Sequence, residues 1–229
     1  SIFNTISTHV VRELSNCCCH FSFKDTCGIN EGWSQCALML CACLFSGGES
    51  RRMGQDKALL PHPSGGLWLT ALVDQVRLLG LPLQVVSRYP AHGDQLADRP
   101  GVTVVQEPPP WQGPLQALGR VLPGTPAEAL LVLPVDMPRL SAAVLQQLIN
   151  AWYEEPDQIA VAQDGKRLQP LLAVIPTGEP FQTRLAEQLA RGERRWMAWL
   201  ASVPHRPVVL PSQALLNANR PEDLAALMA

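Results

Sequence analysis

Between residues 44 and 60 the chain reads LFSGGESRRMGQDKALL. Glycine lets a backbone come close to a ligand and aim N–H groups at it, so Gly47 and Gly48 suit an anion cradle. Arg52 and Lys57 add fixed positive charge: Arg grips phosphate oxygens in pairs, and Lys acts as a compact point charge. Met53 reads as a packing residue. From this stretch alone two readings stay open, a phosphate loop or a solvated basic turn. Asp136 bears on the choice. It closes the apolar run LLVLPVDMP, and a carboxylate at a strand's carboxyl end, in one sheet with a basic loop, is placed to hold Mg2+ beside phosphates. Read by itself it is equally an Asp opening a turn before Pro138. The pair points to a metal–nucleotide site more strongly than either half.

General phosphate motifs do not describe the loop. A Walker A sequence needs Gly-Lys-Ser/Thr, whereas Gly54 is followed by Gln-Asp-Lys, and no G-x-G-x-x-G is present. The net charge of −2 leaves no broad basic surface for nucleic acid. The longest apolar run, ALMLCACLF, is too short to span a bilayer, and the first residues lack the basic-then-apolar order of a signal peptide. A reduced, cytoplasmic protein without membrane or nucleic-acid partners is the expectation.

The seven cysteines (Cys17, Cys18, Cys19, Cys27, Cys36, Cys41, Cys43) all precede residue 44. A stapled secreted domain would spread them through the fold, and no matched pair of C-x2-C motifs supports zinc. Cys41 and Cys43 read as small core residues. Three histidines, His62, His92 and His205, read as isolated and solvated in Pro- and Gly-rich loops. RGERRWMAW, residues 191–199, reads either as a holder of an anionic pterin or as a helix with one charged and one aromatic face.

Positioning these groups requires a scaffold, and the apolar pattern supplies one. With 47 % apolar and 17 % charged residues the chain can bury a core. ALMLCACLF, LQVVS, VTVVQE and EALLVLPV read as buried strands; LWLTALVDQVRLLG, GPLQALGRVL and SAAVLQQLINAWYEE, with Ser141 as N-cap, read as helices. QIAVAQ and QPLLAVI flank a turn at Asp164-Gly165 and predict an antiparallel addition. PFQTRLAEQLARG and ERRWMAWLAS follow as helices, then a strand RPVVLP and a terminal helix RPEDLAALM. The alternation predicts an α/β fold of three layers, a mostly parallel sheet with helices on both faces. Residues 1–38 differ from the rest. They read as a poorly structured extension, either genuine or upstream sequence before a start at Met39, ahead of one domain over 39–229.

With those elements in place, the motifs resemble a known family. LFSGGESRRMGQDKALL is similar to the G-G-x-S-x-R-M-G-x-D-K loop of nucleotidyltransferases. GPLQAL (113–118), LPVDMP and NANRPEDLAAL resemble, in the same order, segments of the molybdenum cofactor guanylyltransferases. The resemblance runs over residues 40–229 and implies a Rossmann-like nucleotidyltransferase fold. It implies an enzyme that moves GMP from GTP to molybdenum-loaded molybdopterin and releases pyrophosphate, with Mg2+ as cofactor. GTP and molybdopterin are the implied substrates, and proteins that mature molybdoenzymes are further partners. By the same resemblance Lys57, Arg52 and Asp136 are catalytic, and Asp136 is the metal ligand. Phe45, Ser46, Gly47, Gly48, Lys57, Ser87, Glu107 and Asp136 bind nucleotide. Gln169, Pro170, Asn217 and Asn219 are weaker candidates for the molybdopterin side; read as residues alone they are a strand edge and turn formers.

Two positions depart from the family pattern. Ser87 stands where an Asn ends the second strand, and Glu107 where an Asp follows the third. Serine lacks the amide that serves a base or ribose edge, and Glu carries its charge on a longer stem; both touch base selection rather than reaction class. Related cytidylyl- and sugar-nucleotidyltransferases share the loop, and a non-catalytic nucleotide-binding module remains the alternative of another class.

Overall fold

The computed structural model describes residues 40–48, 56–218 and 223. Arg52, Met53, Asn219, the extension before Leu40 and the terminal helix apart from Asp223 lie outside the described residues. Seven strands form one sheet: β1 (Leu40–Phe45), β2 (Leu83–Ser87), β3 (Val102–Gln106), β4 (Ala129–Pro134), β5 (Ile159–Gln163), β6 (Leu168–Pro176) and β7 (His205–Val209), in the order β3-β2-β1-β4-β6-β5-β7. Every neighbouring pair is parallel except those involving β6, which runs antiparallel to both β4 and β5. The hairpin expected around Asp164-Gly165 is β5–β6, and Gly165 takes the left-handed φ of +87° that its turn requires.

Alternation along the strands sorts the core into two layers. On one face Ala42, Leu44, Val85, Leu131 and Val174 pack against α1 (Trp68–Arg77), α2 (Pro90–Leu96) and α4 (Ala142–Glu154). On the other, Cys43, Val86, Val132 and Ala173 meet α3 (Pro114–Val121), α5 (Phe181–Ala190) and α6 (Trp196–Leu200). Period-two alternation between two apolar faces is what a sheet covered on both sides demands. The helices form for readable reasons. Leu69, Leu72, Val73 and Val76 place one buried stripe on α1. Pro114 opens α3, where a missing N–H is harmless. Ser141 caps α4 by accepting from Val144 N at 3.4 Å.

Cys43 is fully buried, and burial pushes its thiol up to about 12, so it serves packing rather than redox chemistry. The Pro- and Gly-rich surroundings of His92 predict a loop, whereas Pro90–Leu96 form α2. Its length of 7 residues and internal Gly93 hide the apolar period that marks longer helices. The segment read as ERRWMAWLAS is helical only over Trp196–Leu200, because Glu193 instead accepts from Arg195 N (2.9 Å) and pairs with its guanidinium (2.7 Å). Among the described residues no helix is long and apolar enough to cross a membrane.

Candidate functional site

The strand order creates one crevice. From β1 the chain steps outward to β2 and β3, then returns to place β4 on the other side of β1. The carboxyl ends of β1 and β4 are therefore a topological switch point, where open parallel sheets bind ligands. Phe45 pairs with Pro134, and Val135 N donates to Phe45 O at 3.2 Å, so the 46–48 loop and Asp136 leave adjacent strands side by side. On the far side, β6 pairs with β4 only from Ala129 to Val132. A register shift then lifts residues 170–172 out of the β5 ladder. Pro170, without an N–H, suits that irregularity.

Asp136 follows the carboxyl end of β4 with its side chain 27 % exposed, and Lys57 Nζ lies 4.0 Å from its Oδ2. Its Oδ1 is buried and accepts no hydrogen bond from any described residue. Burial holds the carboxyl above the usual carboxylate range, and the Lys57 ammonium pulls the other way. An orphaned, buried carboxylate oxygen beside an ammonium fits a divalent cation that takes its other ligands from substrate phosphates and water, the habit of Mg2+. Among the described residues there is no cluster of three or more His, Cys, Asp or Glu side chains that could hold a metal without such help.

Lys57 reaches this point because a tight turn begins there. Asp56 caps the short 3-10 helix Lys57–Leu59 by accepting from Ala58 N at 3.0 Å. The glycine loop is tied from the opposite side. Ser46 N donates to Val86 O at 2.9 Å, and Gly47 packs so closely that a Cβ there would lie 3.3 Å from Glu107 Oε2 and 3.6 Å from Arg88 N. The structure thus brings Gly47, Ser87 and Glu107 together. Phe45 O and Ser46 N are already used within the sheet, so the loop amides without a partner among the described residues begin at Gly47.

Glu107 is 8 % exposed and committed to protein partners. Its N donates to Ser87 O (2.7 Å), and its Oε1 accepts from Arg120 Nη1 (3.0 Å). Burial raises its pKa, while Arg120 and Arg88 lower it. Arg120 also donates to Pro108 O and Pro110 O, which fixes the Pro-rich loop, and Trp111 from that loop stacks under Arg88 at 5.2 Å. Ser87 is 1 % exposed, so its hydroxyl serves the interior rather than an open ligand surface.

Of the weaker candidates, Asn217 Nδ2 donates to Gln169 Oε1 at 3.2 Å, and Gln169 Nε2 to Asp164 Oδ2 at 3.1 Å. The next residue closes the circuit, as Ala218 N donates to Asp136 O at 3.0 Å. Gln169, Pro170 and Asn217 therefore border the Asp136 side of the crevice, opposite Ser87 and Glu107.

The histidines are where the sequence reading failed most. His92 is fully buried: its Nδ1 lies 2.7 Å from Ser87 Oγ and 3.1 Å from Ser46 Oγ, and its Nε2 2.7 Å from Asp56 Oδ2. His62 is half-buried and donates from Nε2 to Pro138 O at 2.7 Å; His205 hydrogen-bonds Val203 O at 3.0 Å. Isolation in sequence concealed partners that arrive from distant segments. Trp196, in the RGERRWMAW stretch, packs edge-on against Phe45 at 6.3 Å, and Arg194 Nε donates to Gln112 at 3.0 Å.

Comparison with known proteins agrees with this geometry. Residues 42–205 match the MobA-like NTP transferase domain. A "Probable molybdenum cofactor guanylyltransferase" of Rhodopirellula baltica is 38 % identical over 191 residues, covering 81 % of this chain and 90 % of that protein. The protein of the same name in Synechococcus elongatus is 34 % identical over 206 residues, covering 81 % and 96 %. Among solved structures, the molybdopterin-guanine dinucleotide biosynthesis protein A of Archaeoglobus fulgidus superimposes with a TM-score of 0.65 at 18 % identity, over 83 % of this chain and 97 % of that one. The 2-C-methyl-D-erythritol 4-phosphate cytidylyltransferase of Thermus thermophilus gives 0.59 at 16 % identity, over 83 % and 98 %. Both structures share the fold.

Proposed function

The chain belongs to the molybdenum cofactor guanylyltransferases, with their MobA-like NTP transferase domain, and from that premise we propose that it moves GMP from GTP to molybdopterin. A phosphate oxygen of molybdopterin attacks the α-phosphorus of GTP, a new phosphoanhydride bond forms, the bond to the β-phosphate breaks, and pyrophosphate leaves. The observation that carries the reading at the level of the site is Asp136. Its buried Oδ1 has no partner among the described residues, and its carboxylate stands beside Lys57 just past the end of β4, next to the glycine loop.

Phosphoryl-type transfer is chiefly positioning and neutralisation of charge. Lys57 lies where its ammonium meets phosphate oxygens. Gly47 and Gly48 let the loop backbone close on the triphosphate without a Cβ in the way. Arg52 is assigned a supporting charge. Asp136 would hold Mg2+, which when bound neutralises phosphate charge. Gln169, Pro170 and Asn217 mark the molybdopterin side, and Asn219 belongs to the same proposal. The glycine-loop side, closed by Ser87 and Glu107, takes the nucleotide. The dinucleotide product passes to the proteins that mature molybdoenzymes, in the cytoplasm where these substrates are made.

The test is direct. The protein is incubated with each NTP, Mg2+ and molybdenum-loaded molybdopterin, and pyrophosphate and the dinucleotide are followed. Guanylylated product from GTP is expected; product from CTP and none from GTP overturns the reading.

A further inference from the structure

One buried group at this site has no part in the chemistry above. His92 reaches three separate segments. It lies on α2, where Pro90 begins the helix and the Tyr89 ring packs against the imidazole at 5.4 Å. Asp56 as a carboxylate can only accept, so the proton of His92 is assigned to Nε2, which donates to Asp56 Oδ2 at 2.7 Å. Nδ1 is then an acceptor. It takes the Ser87 hydroxyl at 2.7 Å, with the Ser46 hydroxyl 3.1 Å away. Ser87 Oγ also accepts from Tyr89 N at 3.0 Å, which ties the start of α2 to the same hydroxyl.

The four side chains form one line. Ser46 follows β1 and starts the glycine loop, and Ser87 ends β2. Asp56 caps the turn that carries Lys57 by accepting from Ala58 N with its other oxygen. Lys57 in turn faces Asp136. We propose that His92 is a positioning residue of the transferase: it fixes the Lys57 turn, through Asp56, against the ends of the two strands that carry the nucleotide loop. A lysine on a short turn has no rigid element of its own to aim it. A misplacement of about 1 Å at such a group can cost about 100-fold in rate. The device also accounts for Ser87. Its hydroxyl donates to His92 and accepts from Tyr89 N, and the residue is only 1 % exposed, so in this chain the second strand's end anchors the scaffold.

The inference rests on the transferase reading, and the test separates the two. An Asn side chain places an amide near the Nδ1 position, whereas Gln extends one near Nε2. His92→Gln therefore keeps the donor to Asp56, and His92→Asn keeps only the serine side. Expected for His92→Asn is a fall in kcat of about tenfold or more, with a smaller change in KM for GTP. His92→Gln should stay within a few-fold of the natural protein, and both variants should melt at similar temperatures. Two readouts need no turnover. Nitrogen-15 spectra of histidine-labelled full-length protein should show His92 protonated at Nε2. The Lys57 side chain, 12 % exposed, should be acylated several-fold faster in His92→Asn than in His92→Gln. Equal kinetics in the two variants, losses that follow melting temperature, equal Lys57 acylation or an Nδ1–H tautomer each overturn the proposal. Absence of guanylyl transfer in the unaltered protein overturns the transferase reading instead, and the spectroscopic and acylation results still decide the His92 contacts.

Discussion

Asp136 is under two opposed demands. Its buried Oδ1 is available to a ligand because no described residue satisfies it, and for the same reason it costs the fold stability. The sign follows from its raised pKa. The folded chain holds this proton more tightly than the unfolded chain. The contribution favours folding at low pH and is lost as pH rises from the ordinary carboxylate range through the raised value; above that window the buried charge opposes folding. Asp136→Asn should therefore lower kcat by about 100-fold or more. In chelator-containing buffer at neutral pH the same variant should melt above the natural protein. Retained kcat would remove Asp136 from the reaction; a lower melting temperature would mean that attraction to Lys57 outweighs desolvation.

At the scale of elements, short α6 does more for the site than its five residues suggest. Trp196 touches Phe45 edge-on at 6.3 Å and Trp199 at 5.8 Å, so α6 braces the end of β1 from the face opposite α1. Trp196→Ala should cost about 3–5 kcal/mol in urea unfolding and raise KM for GTP, since the strand end beneath the glycine loop loses its support. An unchanged KM would show that Phe45 is held by the sheet alone. Long strands and helices were legible beforehand because each carries its own apolar period: β2 was read to its residue bounds, and the β5–β6 hairpin from Asp164-Gly165. The α2 helix was not legible, nor was the role of His92. Seven residues with Pro90, Gly93 and one histidine look like a loop until Ser46, Asp56 and Ser87 are brought around them. Sequence order conveys which residues can do chemistry; it does not convey which of them fold back onto one nitrogen.

For the whole molecule, the domain match begins at residue 42, past the cysteine-rich segment. Deleting residues 1–38 should therefore leave kcat and melting temperature unchanged, measured side by side with the full chain. A drop in either would give the cysteine-rich segment a part in the enzyme. The position of β1 carries a consequence of a different kind. This strand is made first among the seven and ends up at the centre, flanked by β2 and β4. Its partners on one edge start at Leu83 and on the other at Ala129. During synthesis the ribosome must therefore deliver about 90 further residues before LCACLF has both neighbours, at roughly 5–20 residues per second. For those seconds the apolar strand on which the active site will stand is an open edge, able to pair with any other chain. During that interval the nascent chain is exposed to edge-to-edge pairing in a way that the finished sheet, with β1 enclosed, is not.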